Sequence, residues 1–79
     1  MRISEAINIR INKLCSERNI SINKLANLSC LTQCTVQHLV DGISKNPKTL
    51  TIVRICDGLG ITLKDFYDDE IFNNIDRED

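Results

Sequence analysis

SINKLANLSCLTQCTVQHLVDG, Ser21 to Gly42, reads as two short helices meeting across a three-residue turn. Ser21 is placed to cap the first, whose inward positions are Leu25 and Ala26 with Leu28 at the margin. Thr32 is placed to cap the second, whose inward positions are Val36, Leu39 and Val40. Two short helices set at an angle in this way are a helix-turn-helix layout. Ala26 lets the pair approach closely. Ser29, Cys30 and Leu31 form the turn, where a residue of positive φ is often required and glycine is its least strained occupant. A cysteine in that conformation costs on the order of 1 kcal/mol. The second helix turns Gln33, Cys34, Thr35, Gln37 and His38 outward, a row of uncharged hydrogen-bonding groups where a solvated helix carries Lys and Glu. Such a face suits the reading of base edges.

Upstream, Ile3, Ile7, Ile11 and Leu14 repeat at helical spacing and predict a first helix from about Ser4 to Arg18, with Cys15 beside the apolar stripe. Arg10, Lys13 and Arg18 are expected on the other faces as solvated charges, and Asn19 and Ile20 form the corner into Ser21. Downstream, Asp41 and Gly42 end the third helix, Gly42 as a left-handed cap. The loop ISKNPK, Ile43 to Lys48, sets Lys45 and Lys48 around Asn46 and Pro47, and proline stiffens it. A stiff basic loop beside a reading helix is suited to gripping phosphate.

A fourth helix is expected from Thr49, with Leu50, Val53, Cys56 and Leu59 repeating at threes and Ile52 and Ile55 widening the stripe into a buried helix. Gly58 and Gly60 close it. Thr62 and Asp65 have capping-box spacing at the start of a short fifth helix holding Leu63, Phe66 and Tyr67. Past Asp68, Ile71, Phe72 and Ile75 are spaced for a last amphipathic turn or a dimer contact, although acidic ends more often fray.

With 79 residues the chain is one small domain, able to bury only about 60% of its unfolded surface. Only three aromatics, three glycines and one proline beside many Ile and Leu favour an all-α bundle. Arg2, Glu5 and Arg10 interrupt the opening segment where a secretory leader needs an apolar core, so a cytoplasmic location is expected. The charge-free run Leu25 to Val40 is too short and too polar to span a bilayer. In a reducing compartment the four cysteines are expected as free thiols, Cys15 and Cys56 acting as small hydrophobes in the core.

The net charge of −1 hides a segregation. Residues 1–64 hold nine Lys and Arg against four Asp and Glu, whereas residues 65–79 hold one against seven. A basic body, 1–68, is therefore followed by an acidic C-terminal tail, 69–79. A polyanionic partner is compatible with the body, although the pI of about 5.7 lends it no support.

Cys30, Cys34 and His38 follow one another at intervals of four and are proper zinc ligands. Only three ligands are present, one of them in a turn, so neither a metal site nor any other cofactor is expected. One histidine, no carboxylate pair in an apolar setting and no glycine-rich phosphate loop argue against an enzyme. No small-molecule ligand is expected.

The set Ile7-x-x-Arg10-Ile11-x-x-Leu14, Ile20-Ser21, Leu25-Ala26, Leu31-Thr32, Val36-x-x-Leu39-x-x-Gly42, Asn46-Pro47 and Leu59-Gly60-Ile61-Thr62 resembles the Cro/repressor (XRE-like) family of phage and bacterial helix-turn-helix regulators. The likeness covers residues 7–67. It implies a five-helix bundle of the lambda-repressor-like DNA-binding type, whose helix at 32–41 enters the major groove of double-stranded DNA. It further implies a transcriptional regulator of repressor type, working as a homodimer on half-sites roughly 34 Å apart.

Carried over position by position, the base-reading residues are Gln33, Cys34, Thr35 and His38. Ser21, Asn23, Lys24, Lys45, Asn46 and Lys48 are implied for the DNA backbone. The chain departs from the family where an Arg–Glu pair often joins the first and third helices, since Cys15 and Val40 stand at those positions and are expected to pack together. An antitoxin or anti-repressor that has kept this fold and given up DNA is the alternative.

Overall fold

The computed structural model describes residues 1–41 and 47–76, and within them every regular element is helical. In chain order these are α1 (Ile3–Arg18), α2 (Ile22–Leu28), α3 (Gln33–Val40), α4 (Thr49–Leu59) and α5 (Leu63–Tyr67), followed by a 3-10 turn (Glu70–Asn74). The expected all-α five-helix bundle is the architecture found. Gly42 lies outside the described residues.

Three of the junctions use one device. α1 and α4 end at a left-handed residue, Asn19 (φ 55°) and Gly60 (φ 71°), and α2 runs through Ser29 into another, Cys30 (φ 57°). The following apolar residue donates its amide to the carbonyl five positions back, from Ile20 to Cys15, Leu31 to Ala26 and Ile61 to Cys56, at 3.0 Å in each case. These bonds satisfy carbonyls that a helix end leaves free. Ile20, Leu31 and Ile61 also pack against the core. The third residue of each junction caps the next helix through its hydroxyl, Ser21 accepting from the Lys24 amide (3.1 Å), Thr32 from Thr35 (3.2 Å) and Thr62 from Asp65 (3.1 Å). At Thr62 the Asp65 carboxylate accepts in return, closing the capping box.

Every α-helix contributes to one core. Ile11, Leu25, Val36, Ile52, Ile55 and Phe66 are its largest fully buried side chains. Cys15 and Cys56 are buried with them, and burial pushes both thiols up from their ordinary pKa, so they pack as neutral hydrophobes. Val40 is half-buried against the same cluster as Cys15, where an ion pair would have to be desolvated.

α4 departs from its expected register. Ile52, Ile55 and Cys56 face the core, whereas Leu50 is 61% exposed. The repeat at threes drifts around a helix of 3.6 residues per turn, and the wider Ile52–Ile55–Cys56 face wins the burial. Leu28, at the margin of the α2 stripe, is exposed as well.

Gly58 does not close α4 but lies inside it. A Cβ at this position would come within 2.7 Å of Ser29 Oγ and 2.9 Å of both the carbonyl carbon and the oxygen of Leu28. The end of α2 therefore seats directly on α4 backbone. Ser29 Oγ is buried there without a hydrogen-bond partner among the described residues.

Arg10, expected as a solvated charge, is the main tie between α1 and the C-terminal part of the fold. Its Nε donates to the Phe66 carbonyl (2.8 Å) and one terminal nitrogen to the Asp65 carbonyl (2.9 Å), which places a cation at the end of α5. Its other terminal nitrogen reaches Asp69 at 3.4 Å, and Lys13 reaches the same carboxylate oxygen at 3.0 Å. The acidic segment expected to fray is consequently held on α1 as far as Asp76, whose amide donates to the Met1 carbonyl at 2.8 Å. Phe72 packs on the core and stacks edge-on with Tyr67.

Two measurements test this packing. Gly58→Ala gains about 1 kcal/mol of helix propensity but drives a methyl group into backbone that cannot swing aside. The net expectation is a loss of about 1–2 kcal/mol, read as a melting temperature lower by roughly 4–8 °C per kcal/mol; an unchanged transition would contradict the close approach.

The Asp69 carboxylate is held below the usual range, first by the Ile71 amide, then by Lys13 and Arg10. A depressed folded-state pKa adds stability above the ordinary carboxylate pKa and loses it as pH falls through the folded value. Asp69→Asn should therefore melt earlier than the parent chain at neutral pH, with the gap closing as both are acidified.

Candidate nucleic-acid interface

α3 owes its position to both of its ends. At the N-terminal end, Cys30 reverses the chain and Thr32 caps the helix, while Leu31 anchors the turn to the core. Val36 and Leu39 bury one face against the other helices, so the opposite face must point outward.

On that outward face Gln33, Cys34 and His38 are exposed, with no side-chain hydrogen bond to another described residue. Thr35 is half-buried, and its hydroxyl lies 2.8 Å from that of Thr32. Gln37 is half-buried and donates to Asp41 at 3.0 Å, which removes it from the row of free groups. Two free thiols, Cys30 and Cys34, are exposed here. Among the described residues no three His, Cys, Asp or Glu side chains come together as a metal site.

The residues expected to hold the DNA backbone divide in three ways. Ser21 is exposed, but its hydroxyl oxygen is already engaged by the Lys24 amide. Asn23, Lys24 and Lys48 are exposed, with no salt bridge among the described residues. Lys45 and Asn46 lie outside the described residues. Lys48 occupies the cap position of α4, where its ammonium has no lone pair to accept from the first amides of that helix.

Beyond the expected residues, a groove of about 510 Å³ lies between α3 and α4, bordered by Thr35, His38, Pro47, Lys48, Leu50 and Arg54. Its signal lay in the register of α4. Once Ile52, Ile55 and Cys56 take the core, Leu50 and Arg54, four residues apart, share the opposite face.

A short α2, a tight turn and a second helix with a free polar face define a helix-turn-helix domain. A profile of the Cro/C1-type HTH DNA-binding domain matches residues 10–70, and the chain belongs to that family. The solved structure of the prophage Lp1 protein 11 superposes with a TM-score of 0.81 at 34% sequence identity, covering 95% of this chain and 100% of that one. No functionally curated protein matches the chain. No helix among the described residues is long and apolar enough to cross a membrane.

The Thr32 hydroxyl serves two partners, the Thr35 amide and the Thr35 hydroxyl. Thr32→Ala should cost about 1 kcal/mol as a lost helix cap. It should also raise amide exchange in the first turn of α3 above that elsewhere in the bundle, as followed by NMR.

Proposed function

We propose that this protein is a sequence-specific double-stranded DNA-binding transcriptional regulator that represses by occupying promoter DNA, with α3 in the major groove. The observation that carries the reading is the outward face of α3, where Gln33, Cys34 and His38 are exposed and make no side-chain hydrogen bond to another described residue. A solvated helix has no use for such a row, whereas a base edge presents donors and acceptors to match it.

Gln33, at the first position of the helix, is the principal reader, because a carboxamide donates to and accepts from adenine at once. His38 donates to guanine or to a phosphate. Cys34 makes an apolar contact or simply permits close approach. Thr35, with its hydroxyl turned to Thr32, offers its methyl group to a thymine. Asn23, Lys24 and Lys48 hold phosphates, together with Lys45 and Asn46 of the loop and the capping Ser21. The working form is a homodimer on two half-sites about one helical turn, roughly 34 Å, apart. The role is occupancy, not catalysis.

Selection of bound fragments from random duplex DNA tests the proposal. A defined half-site should be enriched, and Gln33→Ala should lose discrimination at one base pair by about 1–3 kcal/mol while tolerating the other three bases there. Enrichment of no sequence would refute DNA reading; enrichment of an unchanged site by the variant would remove Gln33 from it.

A further inference from the structure

The cations of this fold are not equally available. Arg10 and Lys13 are spent on Asp69 and on the end of α5. Arg54 is exposed and takes part in no salt bridge or side-chain hydrogen bond among the described residues. It borders the groove between α3 and α4, with Lys48 on the same side and Thr35 and His38 opposite. No acidic side chain among the described residues lines that groove.

A helix with its side chains is about 10–12 Å across, and the major groove of B-DNA is about 12 Å wide. A reading helix therefore fills the groove, and an element that lines a cleft with it faces the sugar-phosphate wall. α4 lies in that place beside Thr35 and His38.

We infer that Arg54 is a phosphate-contacting residue of the DNA interface, gripping the strand that lines the groove between α3 and α4 together with Lys48. This rests on the reading of α3 as the DNA-contacting helix and extends it to a residue on a different element. Because Arg54 stands outside α3, its contribution is to affinity and not to sequence choice. The charge complementarity of the groove favours a polyanion over a second copy of the chain, even though Leu50 supplies apolar surface at its rim.

The test is a salt titration of binding to the selected duplex by the parent chain, Arg54→Gln, Arg54→Met and a control, Lys64→Gln, whose residue borders a different surface on α5. Removal of one phosphate contact lowers the slope of log K against log salt by about 0.9 per protomer. That corresponds to a loss of roughly eight-fold near 0.1 M salt, converging on the parent value towards 1 M. Both Arg54 variants should show this loss with the enriched sequence unaltered, and Lys64→Gln should not.

An unchanged slope in the Arg54 variants overturns the inference, as does an equal loss in Lys64→Gln, which would report only net charge. So would a shift in self-association of the Arg54 variants by sedimentation equilibrium without DNA, with the slope per protomer intact. Failure of the parent chain to select any duplex is a different outcome and sinks the reading of α3 itself. Thermal melts confirm the fold, and the methionine variant, which keeps an apolar stem, separates charge from packing.

Discussion

The placement of α3 depends on a contact from which a side chain has been omitted. Where Gly58 meets Leu28 and Ser29, the end of α2 rests on α4 with no Cβ between them. The turn at Cys30 starts from that point, so the seating of α2 sets the origin and direction of the helix that follows. Val36 and Leu39 then lock its rotation by burying one face. Outward presentation of Gln33 and His38 thus follows from an absence of atoms some distance away, combined with two apolar anchors.

Charge is organised by the same economy. The acidic C-terminal segment does not lower the potential uniformly, because several of its carboxylates have local employment. Asp69 binds Arg10 and Lys13, Asp65 completes the capping box of α5, and Asp76 pairs with the Met1 amino group at 3.2 Å. The cations these groups consume are Arg10 and Lys13 on α1 and the amino group just ahead of it, while Lys24, Lys48 and Arg54 stay available around α2 and α4. A net charge near zero is therefore the sum of an internally compensated brace and an uncompensated basic side.

Local signals in the sequence were legible wherever the physics is local. Caps at Ser21, Thr32 and Thr62, the left-handed turn at Cys30 and the stripes of α1, α2 and α3 depend on residues within one helical turn of each other, so spacing reveals them. What escaped depends on distant partners. The solvated reading of Arg10 failed because its acceptors lie at residues 65, 66 and 69, and no pattern near residue 10 announces them. The hold on residues 69–76 escaped for the same reason, although the last turn for which Ile71 and Phe72 are spaced is present as the 3-10 turn. On α4, two overlapping apolar stripes compete, and only the packing of the other helices chooses between them, which is why Leu50 and Arg54 emerged on the open face. The exposure of Gln33, Cys34 and His38 was readable from periodicity; the engagement of Gln37 by Asp41 and of Thr35 by Thr32 required side-chain geometry.

The three junctions Asn19-Ile20-Ser21, Cys30-Leu31-Thr32 and Gly60-Ile61-Thr62 solve one geometric problem with three different first residues. An amide side chain, a thiol and a hydrogen atom all serve at the left-handed position, since the backbone and the two residues after it form the turn. The turn therefore forms with a thiol at position 30, at a cost on the order of 1 kcal/mol relative to glycine. Two thiol-free versions of the same corner already stand elsewhere in this chain, so the chemistry displayed at the edge of α3 can be exchanged without rebuilding the angle between the helices.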